Sequence, residues 1–215
     1  MKYRLIVFDW DGTIIDSAST IAACMQDAAR DLGVAVPPLE RARHVIGLGL
    51  HDAMRIALPE VPGQRYPEFV ASYRKHFLAR KDAMQLFDGM RGLLEHLSGR
   101  HLLAVATGKS RAGLDRDLDF HNLKPLFASS RCADETNPKP HPAMLVELMD
   151  ELGVDSRAAL MIGDTSHDLE MARAAGVDAL AVTYGAHAEE GLRACGPLHC
   201  FPSVDRLRQW LTANA

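Results

Sequence analysis

The sequence predicts an α/β fold: a Rossmann-like parallel sheet core covered by helices on both faces, with an inserted α-helical bundle. Three observations carry this prediction. Short apolar runs such as Leu5-Ile6-Val7-Phe8, Leu102–Ala106 and Ala159–Ile162 read as strands buried on both faces, which is how strands of parallel sheets look. Helical patterns separate the later runs, as the crossovers between parallel neighbours require. Between residues 16 and 82 the patterns are helical throughout and no strand is evident. The expected division is therefore a core of residues 1–15 and 83–215, with residues 16–82 forming the helical bundle.

The elements follow in order. The first strand, Leu5–Phe8, stops at Asp9-Trp10-Asp11-Gly12. Ile21, Cys24, Met25, Ala28, Ala29 and Leu32 recur at helical spacing, and Gly33 sits where a helix ends. Pro37-Pro38 introduces a short helix through Val45, which Gly47-Leu48-Gly49 breaks. A third helix runs from Leu50 to Leu58, before Pro59, and a fourth from Tyr66 to Asp82 with Phe69, Val70, Tyr73, Phe77 and Leu78 on one stripe. Next come a helix over Gly89–Leu97, the strand at Leu102–Ala106, a helix over Arg111–His121 and a short strand at Phe127–Ser129. A helix opened by Pro142 runs to Leu152, and the strand Ala159–Ile162 leads to a helix ending at Ala175. The strand Ala179–Val182 and a terminal helix over Val204–Leu211 close the chain.

The composition narrows the class of partner. With 47% hydrophobic and 24% charged residues the chain reads as an ordinary globular protein. A net charge of -4 gives no general attraction to nucleic acid or an acidic membrane, so small soluble partners are expected. No run approaches the roughly 18 apolar residues of a membrane span. The start Met1-Lys2-Tyr3-Arg4-Leu5 leads too soon into acid for a signal peptide, so a cytoplasmic protein is expected. Cys24, Cys132, Cys195 and Cys200 read as reduced thiols, and Cys195, His199 and Cys200 lack the fourth group and the spacing of a zinc site.

In parallel sheets the ligand crevice lies outside the carboxyl ends of the strands. Here several strands deliver polar residues to that end: Asp9 and Asp11 after the first, Thr107 after the second, and Asp164 with Asp168 after Ala159–Ile162. Lys139 opens the loop before a helix. Taken alone, Asp-x-Asp-Gly also reads as a strand reaching solvent in a turn. Together, four carboxylates in one crevice repel one another and call for a cation, and an oxygen-only set without clustered His or Cys favours Mg²⁺ over zinc. Mg²⁺ on a few carboxylates, with positions left for water and phosphate oxygen, suits phosphoryl transfer. The Thr107 hydroxyl and the Gly108 backbone N–H suit phosphate oxygens, and Lys139 adds positive charge.

Asp9-Trp10-Asp11-Gly12-Thr13, Ala106-Thr107-Gly108, Lys139-Pro140 and Gly163-Asp164-Thr165-Ser166-His167-Asp168, in this order and at these intervals, closely resemble the four motifs of the haloacid dehalogenase-like hydrolase superfamily. The resemblance is strongest to its phosphoglycolate-phosphatase-like members, and the helical insertion resembles that superfamily's cap domain. It implies Mg²⁺-dependent hydrolysis of a small-molecule phosphate monoester, phosphoglycolate-like or a sugar phosphate, through an aspartyl-phosphate intermediate. Asp9 would be the nucleophile and Asp11 the general acid and base. Thr107 and Gly108 would bind phosphate, and Lys139 would steady both the nucleophile and the phosphoryl charge. Asp164 would hold Mg²⁺ with the Asp9 side chain and the Asp11 backbone carbonyl, and Asp168 would support the metal directly or through water.

Other readings sit beside these. Asp168 also suits the N-terminus of a helix, stabilised by its dipole. Trp10 is expected to pack beneath the site, Lys109 to be an exposed lysine rather than one that reaches a phosphate, and Asp16 to cap the first inserted helix; His141 and His167 receive no catalytic role. Substrate contacts are expected from Gly47, Leu48 and Gly49, with Arg43, His44 and His51 nearby, because glycines allow close backbone approach. A dehalogenase would not need Asp11. A phosphonate hydrolase would need a Schiff-base lysine in the cap, where Lys75 and Lys81 suit solvation instead. A β-phosphoglucomutase-like phosphomutase shares the same core, and a phospho-accepting signalling receiver lacks the helical insertion.

Overall fold

A computed structural model describes residues 2–80 and 83–215. Strands β1 (Leu5–Phe8), β2 (Leu102–Thr107), β3 (Ser129–Cys132), β4 (Ala159–Gly163), β5 (Asp178–Val182) and β6 (His199–Phe201) form one parallel sheet in the order β3-β2-β1-β4-β5-β6. The chain builds outward from β1 on one side to β3, then returns to place β4 on β1's other edge. The strand order therefore reverses at β1 and β4, and a crevice opens beyond their carboxyl ends.

The alternation of side chains along β1 explains why it lies at the centre. Ile6 and Phe8 join one apolar cluster with Leu103, Val105 and Ile162, while Leu5 and Val7 join another with Ala104, Met144 and Met161. All four β1 side chains are fully buried, each contributing about 1.5–3 kcal/mol of apolar burial. Helices α5 (Met90–Ser98), α6 (Arg111–Phe120), α7 (Ala143–Leu152), α8 (Ser166–Ala175), α9 (Glu189–Ala194) and α10 (Val204–Asn214) cover the sheet.

The predicted insertion is helical. Helices α1 (Ala18–Asp31), α2 (Leu39–His44), α3 (Leu50–Ala57) and α4 (Tyr66–Arg80) share their own apolar cluster, in which Met25, Ala29, Met54, Leu58 and Phe69 meet. The expected extension of α4 to Asp82, like Lys81 and the boundary at residue 82, lies outside the described residues. Asp16 is exposed and the N-cap position of α1 falls to Ser17. No helix among the described residues is long and apolar enough to cross a membrane.

Two differences from expectation lie at the sheet edges. The third strand is Ser129–Cys132 rather than Phe127–Ser129, because Ala104 to Thr107 pair with these polar residues while Phe127 packs against Trp10. Helix α9 and strand β6 were not expected. Strand β6 is a three-residue edge strand of which only Phe201 is buried, too short to leave a periodic signal.

Candidate active site

Asp9 continues β1 by one residue, donating its N–H to the Ile162 carbonyl at 2.9 Å, so its carboxylate stands at the central carboxyl end of the sheet. Lys139 crosses from the segment before α7 and places Nζ 2.6 Å from Asp9 Oδ1 and 2.6 Å from Asp168 Oδ1. Thr13 Oγ1 donates to Asp164 Oδ1 at 2.8 Å, and the Ala186 N–H donates to Asp164 Oδ2 at 2.7 Å. Asp168 closes a capping box at the start of α8, accepting from Thr165 N–H at 3.0 Å and Thr165 Oγ1 at 2.7 Å. Helix capping and membership of the acidic cluster are both true of this one side chain.

Asp9, Asp164, Asp168 and Lys139 are buried, so three carboxylates face one ammonium. Burial drives the Asp9 carboxyl well above the usual carboxylate range, against the pull of Lys139, and burial with the neighbouring Asp168 raises Asp164 to about 7. The imbalance calls for another positive charge. Asp9 Oδ2 is buried without a hydrogen-bond partner, and one carboxylate oxygen from each of Asp9, Asp164 and Asp168 lies within 4.8 Å of the others. An oxygen-only donor set with an unpartnered carboxylate oxygen fits a hard divalent cation. Gly12 permits this crowding: it sits at φ +85, and a Cβ there would lie 2.2 Å from Asp164 Oδ2.

The Asp11 carboxylate stands outside that cluster. It accepts from Ser17 Oγ at 2.7 Å and pairs with Lys109 Nζ at 3.0 Å, and Lys109 also pairs with Asp117 at 3.0 Å. Lys109 was expected to be exposed; its side chain is only 9% exposed. The carboxylates explain the difference, for although burial alone would lower its pKa, Asp11 and Asp117 outweigh it and raise it. Its ammonium also lies 4.8 Å from the centre of the Phe77 ring. Trp10 packs beneath, as expected, and its Nε1 donates to Asp117 Oδ2 at 3.3 Å.

Thr107 ends β2 beside this group, and Gly108 follows it. Thr107 Oγ1 accepts the Lys109 N–H at 3.2 Å, and a Cβ on Gly108 would lie 2.5 Å from the carbonyl oxygens of both Gly47 and Leu48. The loop between α2 and α3 thus rests directly on the sheet's carboxyl end. A cavity of about 550 Å³ runs from Asp9, Asp11, Thr107 and Gly108 into the helical layer, with Gly47, Leu48, Gly49 and His51 in its wall.

Arg43 does not line that cavity, contrary to expectation. Its Nη2 donates to the Gly185 carbonyl at 2.6 Å and its Nε to the Ala186 carbonyl at 3.1 Å, which ties α2 to the loop that holds Asp164. His44 adds to the same seam. Its carbonyl accepts from His167 Nε2 at 2.8 Å and His187 Nε2 at 3.0 Å, while its ring stacks on His187 with centroids 5.1 Å apart. His187 Nδ1 accepts the Ser166 N–H, so the ring is neutral, and burial pushes its pKa down to about 4.

Thr13, Ser17, Asp117 and the Ala186 N–H carried no assignment in the sequence. Thr13 lies inside the first motif and Ser17 at a helix start, the two weak signals available. Asp117 lies on α6, 106 positions after Asp11, and nothing local marks it.

Comparison with known proteins shows the family. The family model for "Haloacid dehalogenase-like hydrolase" matches residues 6–182. A "Probable phosphatase IndB" of Dickeya dadantii is 36% identical over 201 residues, covering 90% of this chain and 86% of that protein. A "Phosphoglycolate phosphatase" of Aliivibrio fischeri is 32% identical over 196 residues, covering 85% of each. The crystal structure of a predicted phosphatase from Clostridium acetobutylicum superposes with a TM-score of 0.87 over 99% of this chain and 100% of that one, at 24% identity, and so shares the fold. With the family model spanning most of its length, the chain belongs to the haloacid dehalogenase-like hydrolases and is an enzyme of their phosphatase type.

Proposed function

We propose that the enzyme is a Mg²⁺-dependent phosphatase that hydrolyses a small soluble phosphate monoester through a phosphorylated Asp9. The observation that carries this reading is the separation of two carboxylates two residues apart. Asp9 lies in the acidic cluster with one oxygen unpartnered, whereas Asp11 is held apart by Ser17 and Lys109. One is disposed for attack, the other for proton transfer.

Asp9, Asp164 and Asp168, with the Asp11 backbone carbonyl, would hold Mg²⁺, which when bound offsets charge on the carboxylates and the phosphoryl oxygens. Asp9 attacks phosphorus in line, forming an O–P bond as the ester O–P bond breaks, and Asp11 gives its proton to the departing alkoxide. Asp11 then takes a proton from water as the water oxygen attacks phosphorus, the Asp9–phosphorus bond breaks, and phosphate leaves. Lys139 holds Asp9 in place and adds positive charge beside the phosphoryl group. Thr107 and Gly108 contact phosphate oxygens. Residues 16–82 act as a cap over this chemistry, with Gly47, Leu48 and Gly49 facing the leaving group.

The test is phosphate release from a panel of monoesters, with and without Mg²⁺. Release that requires Mg²⁺ and stops on chelation is expected. Equal release in excess chelator would contradict the reading.

A further inference from the structure

We propose that the preferred substrate is a phosphate monoester whose alcohol is uncharged and largely apolar, and larger than a two-carbon acid. This inference rests on the phosphatase reading and narrows it to a substrate class.

The first argument is the wall of the cavity. Beyond the polar floor at Asp9 and Asp11, its apolar part is formed by Ile21 and Met25 of α1, Val45 and Leu48 beside the α2–α3 loop, and Tyr73 and Phe77 of α4, with His51, Asp52, Arg74 and Arg116 among the polar residues at its sides. The apolar side chains come from three parts of the helical layer and enclose one space. At about 550 Å³ it falls within the roughly 300–1,000 Å³ of pockets that bury drug-sized ligands. An alcohol filling it removes apolar surface from water on both sides of the contact. The Tyr73 hydroxyl, which burial keeps protonated, supplies a polar point in that wall.

The second argument is the state of the cations beside the floor. The carboxylate of a two-carbon acid ester lies close to its own phosphorus, and hence close to Asp9 and Asp11. Lys139 is already bracketed by Asp9 and Asp168, and Lys109 by Asp11 and Asp117. A substrate carboxylate there meets Asp11, and both lysines beside the floor are already paired with carboxylates. Two guanidinium groups also line the cavity: Arg74, exposed on α4, and Arg116, which pairs with Asp117 at 3.3 Å and keeps its Nε without a partner. An uncharged alcohol meets no such repulsion.

The experiment measures kcat/KM of the unmodified enzyme with Mg²⁺ for ethyl, butyl, hexyl and benzyl phosphate and for phosphoglycolate. Alkyl leaving groups differ little in basicity, so the series isolates burial. The expected result is a rise of up to about fourfold per added methylene, with phosphoglycolate below butyl phosphate. A flat alkyl series, or phosphoglycolate turned over faster than every neutral ester, would overturn the inference and leave the phosphatase reading intact. If folded protein, verified by its melting transition, released phosphate from none of the esters, the phosphatase reading itself would fall, and this inference with it.

Discussion

Replacing Lys109 with Met isolates the charge that holds Asp11. Met keeps a stem of similar length against Phe77 but removes an ammonium that lies 3.0 Å from Asp11 and 3.0 Å from Asp117. The three side chains are only 8–10% exposed, so the two carboxylates left behind face each other with little solvent to separate them. Removing one partner of a buried pair costs about 3–5 kcal/mol, far above the roughly 0–1 kcal/mol of an exposed bridge. For a chain of this size the melting midpoint should therefore fall by roughly 6–20 °C. Urea unfolding and thermal melts of Lys109→Met, Asp117→Asn and the double variant measure it. The double variant should recover more than half of the loss, because the second change removes the repulsion created by the first. A Lys109→Met protein within about 1 kcal/mol of the parent would show the bracket to be solvated and refute the argument.

Three further outcomes follow from the contacts between the helical layer and the core. Gly108→Ala places a Cβ 2.5 Å from two carbonyl oxygens of the α2–α3 loop and should lower kcat/KM by about 100-fold as the loop is displaced; activity within twofold of the parent would contradict this. Arg43→Ala removes two hydrogen bonds to the loop whose Ala186 N–H holds Asp164, so calorimetric Mg²⁺ binding without substrate should weaken several-fold, and an unchanged Kd would break the link. His187, with a folded pKa of about 4 against about 6.5 unfolded, contributes stability that is complete above about pH 6.5 and is lost as pH falls toward 4. Because Asp164, raised to about 7, acts in the opposite direction, the contrast with His187→Gln is the measurement. The parent should lose about 1–3 kcal/mol relative to the variant between about pH 6.5 and about pH 4, and a pH-independent difference would contradict the assignment.

Asp9 and Asp164 were legible because the parallel-sheet rule brings strand ends together whatever their separation in sequence, and Lys139, in the loop before α7, through its place among the four motifs. Asp168 was legible twice over, as a helix cap and as part of a motif, and the structure gives its carboxylate both surroundings. Lys109 was not legible. A lysine in a short loop is most often solvated, and its burial depends on Asp117 and Phe77, which only the packing of α6 and α4 against the sheet brings near. Arg43 was misread for the same reason: its helix position is local, but its partners at Gly185 and Ala186 lie across the fold. Strand β3 shifted because an edge strand carries polar residues and leaves the apolar signal to its neighbour Phe127.

The central claim is that Asp9 becomes phosphorylated, and rapid quenching during turnover tests it most directly. Acid-quenched enzyme incubated with Mg²⁺ and a substrate ester, digested and read by mass spectrometry, should carry one phosphoryl group on the peptide containing Asp9. Asp9→Asn should carry none and release no phosphate. Full phosphate release by Asp9→Asn, or a phosphoryl group found on a different residue, would contradict the account.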